Sequence, residues 1–383
     1  MIKLLEKNQQ ISDTIFRRLV AQMGGIMIED LIRPEIRSFI PYDANQQPYK
    51  IKLDANESPF DMPLKARQRL AEFILKNPEL NLYPDTDSIK LRKALSEHWD
   101  VDYRNIIVGT GSDQLIQMLA NVFVGPGDKV LCPAPSFGMY ADSCIIAGGT
   151  PVRYILEPEN RFEYSKQAIM EAYDREKPKL IYICNPNNPT GNLMPKEDVL
   201  EVVSYCKNSV VIVDEAYAEF CGCTVIPDTK KYENLIVLRT FSKAYGLAGI
   251  RCGYSIAGTS LTRAVNLVRP PYNISSLSQY TALLVLEEKD EIQKNILSLV
   301  EERKRLSEEL VKLQGIEVFE SHSNFVLVRV ENCREVYNKL CEKGIFLRIF
   351  GSSPLLKDCM RISVGTPQQN TILLEELAAI CYN

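Results

Sequence analysis

The fold of this chain is decided by a run of four apolar residues, Leu235-Ile236-Val237-Leu238, followed directly by Arg239-Thr240-Phe241-Ser242-Lys243-Ala244-Tyr245-Gly246-Leu247-Ala248-Gly249-Ile250-Arg251-Cys252-Gly253. The apolar run is typical of a strand that is buried on both faces of a sheet. Lys243 follows this strand between hydroxyl residues and a glycine-punctuated stretch that contains Arg251. Such a lysine can form a Schiff base beside a phosphate pocket, provided that burial and cationic neighbours favour its neutral amine. A solvated loop lysine is the alternative on this spacing alone.

Four more apolar runs precede this strand and alternate with helical stretches. They are Ile106-Ile107-Val108, Lys129-Val130-Leu131, Leu180-Ile181-Tyr182-Ile183 and Val210-Val211-Ile212-Val213. Such runs predict an α/β region with a mainly parallel sheet buried between helices, over about residues 105–257. Ligands of such sheets bind beyond the carboxyl ends of the strands, so the polar residues after each run are the candidate functional residues.

Two of these strand ends carry polar residues that are suited to a cofactor ring. Val213 is followed by Asp214-Glu215-Ala216-Tyr217, and Ile183 is followed by Cys184-Asn185-Pro186-Asn187-Asn188-Pro189-Thr190-Gly191. A carboxylate at the end of a buried strand needs a cationic or hydrogen-bonding partner, and a protonated pyridine nitrogen is such a partner. A helix N-cap is the alternative role for Asp214. The stretch from Asn187 to Gly191 predicts a tight turn.

A third strand end has the composition of a phosphate site. Val108 runs into Gly109-Thr110-Gly111-Ser112-Asp113-Gln114 and then into an apolar helix over residues 115–122. Backbone N–H groups and a small hydroxyl at a helix N-terminus bind phosphate well. The third glycine of a dinucleotide-binding fingerprint is missing at Gln114, and no P-loop lysine follows. A phosphate-bearing cofactor is therefore possible, while NAD is disfavoured.

The composition is that of an ordinary globular protein. The 383 residues include 45 Lys and Arg against 49 Asp and Glu, which gives a net charge of −4. Charged residues at 25% and hydrophobic residues at 45% exclude a disordered, collagen-like or coiled-coil chain. The slightly acidic balance gives no reason to expect nucleic acid or an anionic membrane as the partner. The length predicts about two domains.

The cysteines and the first residues point to a cytoplasmic protein. The 11 cysteines stand at irregular spacings, which favours reduced core thiols over a disulfide framework or a zinc site. Lys3, Glu6 and Lys7 interrupt any apolar core of a secretory signal, and no apolar stretch reaches the ~18 residues of a spanning helix. His98 and His322 are too scattered for a metal site or a catalytic triad, so we expect them to be structural and expect no metal.

A second, smaller α+β domain is predicted after Pro270-Pro271. A long charged amphipathic helical segment is expected over about residues 283–313, followed by alternating strands and helices at residues 325–330, 333–340, 345–349, 360–364 and 371–380. The extended residues 41–58 are expected to pack against this domain. We therefore predict an N-terminal arm at 1–35, with a helix over residues 12–23, a large domain at 75–270, and a small domain made of 36–74 and 271–383.

Taken together, these motifs resemble the fold-type I pyridoxal-phosphate (PLP) aminotransferases, and among them the histidinol-phosphate aminotransferase family. The resemblance covers about residues 36–380. It is carried, in this order, by Lys52-Leu53-Asp54-Ala55-Asn56-Glu57-Ser58-Pro59, Tyr83-Pro84-Asp85, Asn187 to Gly191, Asp214 to Tyr217, Ser242-Lys243-Ala244 through Arg251, and Arg361-Ile362-Ser363-Val364-Gly365-Thr366. It implies an aspartate aminotransferase-like α/β large domain with a mainly parallel sheet and a smaller α+β domain.

The resemblance assigns a cofactor role to each strand end. Lys243 would form the Schiff base with PLP and then move the proton between the substrate and the cofactor, and Asp214 would pair with the pyridinium nitrogen. The remaining cofactor residues would be Asn188 and Tyr217 at the ring O3′, Phe137 on the ring face, and Ser112, Asp113, Thr240, Ser242 and Arg251 at the phosphate. Tyr83 would reach that phosphate from the neighbouring subunit of a homodimer.

The resemblance also implies the substrates, which are L-histidinol phosphate and 2-oxoglutarate, with imidazole-acetol phosphate and L-glutamate as products. Arg361 would bind the glutamate carboxylate and help to hold the substrate phosphate, and Arg348 would supply a second guanidinium. Planar guanidinium forks suit both anions. A surface arginine is the alternative for Arg348. Tyr42, Asn56 and Tyr272 would complete the pocket.

Three alternatives remain. Two keep the cofactor: an aromatic-amino-acid aminotransferase, and a threonine-phosphate decarboxylase. The decarboxylases tend to have another arginine near the Arg361 segment, where this chain has Gly365-Thr366. The third is a non-catalytic PLP-binding or interaction protein, and the joint presence of Lys243, Asp214, Tyr217 and Asn188 argues against it. Phe137 departs from the tyrosine that relatives often have there, which keeps the ring contact and loses a hydroxyl.

Overall fold

The computed structural model describes residues 28–41, 47–76, 79–351 and 353–381. Contacts divide the chain into two compact units, residues 1–46 and residues 47–383. In the first unit, helix α1 (Ile28–Leu31) precedes a 3-10 turn at Pro34–Ile36. The guanidinium of Arg37 donates to the carbonyl oxygens of Ile32 at 2.8 Å and Asp30 at 3.0 Å. The helix predicted over residues 12–23 and the candidate residue Tyr42 lie outside the described residues.

The second unit alternates strands with helices. Its strands are β1 (Ile51–Lys52), β2 (Ile106–Gly109), β3 (Lys129–Ala134), β4 (Thr150–Ile155), β5 (Leu180–Cys184), β6 (Val210–Asp214), β7 (Leu235–Thr240), β8 (Gly253–Ala257), β9 (Ile316–Val318), β10 (Phe325–Val330), β11 (Ile345–Phe346), β12 (Arg348–Ile349) and β13 (Cys359–Ser363). Its α-helices are α2 (Leu64–Lys76), α3 (Ile89–Trp99), α4 (Gly111–Phe123), α5 (Met139–Ile146), α6 (Lys166–Glu176), α7 (Lys196–Tyr205), α8 (Thr259–Asn266), α9 (Ser276–Glu287), α10 (Lys289–Leu310), α11 (Cys333–Glu342) and α12 (Pro367–Cys381). No helix in these described ranges combines the length and apolar character needed to cross a membrane.

The large sheet has seven strands in the order β2-β8-β7-β6-β5-β3-β4. All five apolar runs of the sequence form strands in it, which confirms the α/β prediction. Neighbours from β7 through β6, β5 and β3 to β4 are parallel, while β8 runs antiparallel to both β2 and β7. The sequence analysis missed β4, whose outer position leaves several of its residues partly exposed, and β8, whose five residues include only two long apolar side chains.

Both faces of the large sheet are buried, because successive side chains of its strands enter different apolar clusters. Ile181, Ile183 and Val213 join the cluster that contains residues of α3, α6 and α7, while Tyr182 and Ile212 join the cluster that contains residues of α4, α5 and α8. Helices therefore cover the sheet on both sides, and the strand ends are the part of the sheet open to ligands.

Two smaller sheets follow the large one. Four strands form an antiparallel sheet in the order β12-β13-β10-β9, and β1 pairs in parallel with β11. The β1–β11 pair confirms that the extended segment near residue 51 packs against the later part of the chain. The predicted helices near residues 333–340 and 371–380 are also confirmed as α11 and α12.

Two predictions for the later part of the chain were wrong in detail. The single helical segment over residues 283–313 is two helices, because α9 ends at Glu287 and α10 begins at Lys289. The single strand over residues 345–349 is two short strands, since β11 pairs with β1 while β12 pairs with β13. In both cases the apolar pattern continues across the single residue that separates the two elements, so periodicity alone does not reveal the break.

Candidate active site

The predicted strand ends meet at one edge of the large sheet. β5, β6 and β7 are adjacent and parallel, with Cys184 opposite Asp214 and Asp214 opposite Leu238. Across β8, Gly253 lies opposite both Thr240 of β7 and Gly109 of β2, so the carboxyl end of β2 reaches the same edge. The structure therefore brings together the loops that follow β2, β5, β6 and β7, as the sequence analysis predicted.

Asp214 is the last residue of β6 at this edge, and its carboxylate is buried, with 3% of the residue's surface exposed. Its Oδ2 accepts a hydrogen bond from the Tyr140 hydroxyl at 2.7 Å, and its Oδ1 accepts one from the backbone N–H of Ala216 at 3.1 Å. Burial raises the pKa of Asp214 to about 6, although both hydrogen bonds oppose that change. A buried carboxylate in this state is suited to a cationic partner. The sequence analysis did not identify Tyr140, which lies in α5 and donates to this carboxylate.

Lys243 lies beyond β7, with its Nζ donating to the carbonyl oxygen of Ala55 at 2.9 Å. Its Nζ is 5.9 Å from the centre of the Tyr217 ring. The pKa of Lys243 is lowered to about 8, mainly by burial and also by the positive charge of Arg361. An amine with this pKa is neutral in about a tenth of the molecules at pH 7 and in about half at pH 8, whereas an ordinary lysine is almost entirely charged.

We predict that the chemical reactivity of Lys243 follows its lowered pKa. In cofactor-free protein, acetylation of Lys243 by acetic anhydride should rise about tenfold per pH unit below pH 8 and level off above it, because only the neutral amine reacts. Mass spectrometry of digests taken across pH 6 to 10 measures this profile. In Arg361→Met, the plateau should move to higher pH, since a neighbouring positive charge is lost. A profile that still rises steeply above pH 9 would contradict the lowered pKa.

The N-terminus of α4 and the loop after β7 form a tightly packed anion cradle. The guanidinium of Arg251 donates to Asp113 at 2.9 Å and to the Ser242 hydroxyl at 3.4 Å. A Cβ at Gly253 would lie 2.5 Å from the backbone N of Ser112, and one at Gly111 would lie 2.7 Å from the Arg251 guanidinium. Only glycine allows the two loops to approach this closely. The predicted phosphate residues Ser112, Asp113, Thr240, Ser242 and Arg251 therefore lie together.

Residues from distant parts of the chain, at the segment 54–56 and in β13, contact the loops that follow β5 and β6. Asn56 has a φ of 55° and donates from Nδ2 to the Tyr217 hydroxyl at 2.9 Å. Arg361 of β13 donates to Asn188 and, at 2.7 Å, to the carbonyl oxygen of Asp54. Ser363 accepts from the backbone N–H of Asn56 at 2.8 Å. The segment 54–56 therefore joins the end of β13 to the loops after β5 and β6.

The remaining predicted residues lie in different surroundings. The Phe137 ring packs edge-on against Tyr140, with the ring centres 5.7 Å apart, which places it beside the residue that holds Asp214. Arg348 of β12 lies opposite Arg361 of β13. Tyr83 and Tyr272 stack on each other at 4.3 Å, and 80% of the surface of Tyr83 is exposed.

A buried ion cluster beside the site was missed by the sequence analysis. Arg239 donates to Glu215 at 2.8 Å and to Glu219 at 2.9 Å, and its guanidinium lies 4.7 Å from the centre of the Trp99 ring. Burial by itself would lower the pKa of Arg239, but the two carboxylates outweigh it and raise that pKa. Glu215 directly follows Asp214, and Glu219 lies two residues after Tyr217, so this cluster fixes the loop that carries Asp214 and Tyr217.

We predict that Arg239→Met destabilises the protein by about 3–5 kcal/mol, because it leaves two buried carboxylates without a cation. Urea unfolding of the wild type and the variant measures the change. Arg175→Met is the matched control, since Arg175 pairs with Glu176 while 63% exposed, and its loss should cost less than about 1 kcal/mol. Equal effects of the two substitutions would show that the buried cluster adds nothing to stability.

The chemistry of this donor set fits PLP. The cradle of backbone N–H groups, hydroxyls and Arg251 suits a phosphate, the buried carboxylate of Asp214 suits a protonated pyridine nitrogen, and Lys243 supplies a reactive amine. The glycine contacts support this fit, because a Cβ at Gly253 would meet the backbone of Ser112 across the cradle, and Gly111 has a φ of 73° that other residues rarely adopt. Among the described residues, no group of histidine, cysteine and acidic side chains could hold a metal ion.

Comparison with known proteins agrees with this geometry. The family model "Aminotransferase class I and II" matches residues 48–377. A histidinol-phosphate aminotransferase of Ruminiclostridium cellulolyticum is 67% identical over 93% of this chain and 100% of its own length. One from Caldanaerobacter subterraneus subsp. tengcongensis is 42% identical over 92% of this chain and 99% of its own length.

A solved structure extends this likeness to three dimensions. The histidinol-phosphate aminotransferase of Sinorhizobium meliloti, solved in complex with pyridoxal-5′-phosphate, superposes with a TM-score of 0.84 at 25% identity. The match covers 92% of this chain and 97% of that one. The chain therefore belongs to the class I and II aminotransferases, within the histidinol-phosphate aminotransferase family.

Proposed function

We propose that this protein is a PLP-dependent transaminase that converts L-histidinol phosphate and 2-oxoglutarate into imidazole-acetol phosphate and L-glutamate. The observation that carries the proposal is that one short segment holds both key side chains: Lys243 donates to the carbonyl oxygen of Ala55 at 2.9 Å and Arg361 to that of Asp54 at 2.7 Å. A reactive amine therefore lies near a guanidinium that is suited to anionic substrates. The relative at 67% identity, which is a histidinol-phosphate aminotransferase, supports this choice of substrate.

PLP, when bound, supplies an electron sink that stabilises negative charge on the substrate carbon that loses its proton. Lys243 is placed to take that proton and to return it, because its pKa lies close to neutral pH. The carbonyl oxygen of Ala55, 2.9 Å from Nζ, orients the amine. Lys243 is thus the acid–base group of the reaction.

The other polar residues hold charge in place. Asp214 would hold a proton on the ring nitrogen, and the hydrogen bonds from the Tyr140 hydroxyl and the N–H of Ala216 fix the position of its carboxylate. Tyr217 and Asn188 would contact the ring O3′; both are already oriented, Tyr217 by Asn56 and Asn188 by Arg361. These contacts tie substrate binding at Arg361 to the cofactor ring.

Arg361 is held as a substrate anchor should be. It is 8% exposed, and its guanidinium is oriented by Asn188 and by the Asp54 carbonyl. Arg348 lies opposite it in the sheet, so two guanidiniums can share one anionic group, either a carboxylate or a phosphate. With Asn56 and Tyr272 they would form the substrate pocket.

The proposal is tested by the first half-reaction alone. Purified enzyme saturated with PLP should form pyridoxamine phosphate when L-histidinol phosphate is added without any keto acid, and form it faster than with L-phenylalanine or O-phosphothreonine. Chromatography of the released cofactor measures this. A faster reaction with phenylalanine would move the function to aromatic transamination. Loss of carbon dioxide from phosphothreonine would move it to decarboxylation.

We also propose a homodimer in which Tyr83 completes the neighbouring cofactor site. Leu80, Leu82 and Tyr83 are each more than half exposed, which is unusual for three apolar residues so close in sequence. Tyr83 also stacks on Tyr272, a predicted substrate residue.

We propose further that the protein is cytoplasmic. Its cysteines, none of them in a disulfide, support this location.

Mixed dimers test the shared site. Tyr83→Ala and Lys243→Ala should each lack activity at limiting PLP. Co-expression should restore about a quarter of the wild-type activity, since half of the dimers then contain one intact site made from both chains. Heterodimers with a different tag on each chain, purified on both tags, should reach about half of the wild-type activity, because one of their two sites is intact. Heterodimers without activity would show that Tyr83 serves its own subunit. Tyr205→Ala, a change at another partly exposed tyrosine, is the control that should leave activity unchanged.

A further inference from the structure

A cavity lined by arginines lies against the edge strand β2 of the large sheet. It encloses about 100 Å³ between β2, α3 and α8, and its charged lining residues are Arg92, Arg104, Arg263, Arg269 and Asp87. A cavity that holds one water needs only about 10–15 Å³, so there is room here for several waters or one small anion. None of these residues belongs to the cofactor or substrate set proposed above.

The charges around this arginine pocket do not balance. Asp87 is the one carboxylate in the described lining, and it accepts from Arg269 at 2.8 Å. Arg104 has its own partner outside the cavity, Asp102. Burial lowers the pKa of Arg92; the charge of Asp87 opposes that change, and the charge of Arg269 adds to it. The pocket therefore holds two cations, on Arg92 and Arg263, without carboxylate partners among the described residues.

The guanidiniums of the arginine pocket also have N–H donors that are available to a ligand. Arg92 donates from Nε to the Tyr103 carbonyl at 3.0 Å and from Nη1 to the Asp87 carbonyl at 3.2 Å. A guanidinium has five N–H groups, so most of the donors on its terminal nitrogens remain available. Arg263 has no hydrogen bond or ion pair with any residue in the described ranges. The buried Ser88, which precedes α3, adds a hydroxyl to the same lining.

We propose that the arginine pocket binds a tetrahedral oxyanion, either inorganic phosphate or the phosphate group of a small phosphomonoester, independently of the cofactor and substrate phosphates. Two planar guanidiniums and a hydroxyl match the several oxygens and the double negative charge of such a group. Arg92 and Arg263 bind it directly. Arg269 is fixed by Thr86, Asn266 and Asp87, and it contributes mainly its charge.

Titration calorimetry of the PLP-saturated enzyme in a phosphate-free chloride buffer tests this site. Arg263→Gln should weaken the binding of inorganic phosphate by about tenfold or more, because one charge-assisted contact is lost. Arg263 is exposed, so the variant is expected to fold. Arg92→Gln should have a similar effect. Lys207→Gln removes an exposed positive charge that does not line the cavity, and it should bind phosphate like the wild type.

The same titrations separate the possible outcomes. If glycerol 3-phosphate binds more tightly than inorganic phosphate and shows the same dependence on Arg263, the site accepts phosphomonoesters; the reverse order assigns it to free phosphate. Both results support the pocket. Phosphate binding that is unchanged in Arg263→Gln and Arg92→Gln but lost in Arg348→Gln would place the anion in the substrate site and overturn the proposal. Absence of saturable binding to the wild type would also overturn it.

Discussion

Replacing Lys243 by alanine is expected to lower the rate of transamination by about 10⁴-fold, because the substitution removes the amine that we propose as the proton carrier of the reaction. The fold should survive, since the side chain makes a single hydrogen bond, to the Ala55 carbonyl. The variant should still retain PLP through the phosphate cradle and Asp214, but without a covalent bond to the protein. Single-turnover kinetics with L-histidinol phosphate and the visible absorbance of the bound cofactor measure both effects.

Chemical rescue distinguishes a missing proton carrier from a damaged site. Methylamine added to Lys243→Ala should restore part of the rate, with a dependence on pH that follows the amine's own pKa. Lys230→Ala is the matched control, because Lys230 is about half exposed and pairs only with Asp100; its rate should equal that of the wild type. A Lys243→Ala enzyme that turns over within tenfold of the wild type would remove Lys243 from the proposed role.

The sequence was enough to predict the part of the site that is local to each strand. The apolar runs identify β2, β5, β6 and β7, and parallel strands necessarily bring their carboxyl ends to one edge. The motifs after these runs therefore meet without any knowledge of tertiary structure. Glycines in the motif after β7 also pointed to the cradle, where Gly253 passes close to Ser112.

What the sequence did not reveal depends on contacts between residues far apart in the chain. The Ala55 carbonyl that orients Lys243 is 188 positions away, and Ser363, which accepts from the backbone of Asn56, is 307 positions away. Tyr140 also has no motif of its own, since its position reflects only the packing of α5 against the sheet. In the sequence, Arg239 is only the residue that follows an apolar run, whereas in the structure it is the cation of a buried ion cluster.

The second large effect is expected at Asp214. Asp214→Asn should lower the rate by about 10³-fold, since a neutral amide does not hold a proton on the ring nitrogen and the charge that develops there is left unsupported. Tyr140→Phe, which keeps the carboxylate and removes one hydrogen bond to it, should cost only about tenfold. Single-turnover rates of the two variants measured side by side check this ranking.

Stability provides a second readout that a merely structural role would not produce. The pKa of Asp214 is raised to about 6 in the folded, cofactor-free protein, above an unfolded value of about 3.9, so the folded state binds more protons between these values and stability falls as pH rises through that window. Above pH 6 the buried negative charge of Asp214 destabilises the folded state, and Asp214→Asn removes that charge. The cofactor-free variant should therefore be more stable against urea than the wild type at pH 7.5, by about 3 kcal/mol, and should lose this advantage near pH 4. Addition of PLP should reverse the order, because the cofactor nitrogen stabilises the carboxylate and gains nothing from the amide. A variant that is less stable than the wild type without cofactor would instead make Asp214 a structural residue, held in the fold for the sake of Tyr140 and Ala216.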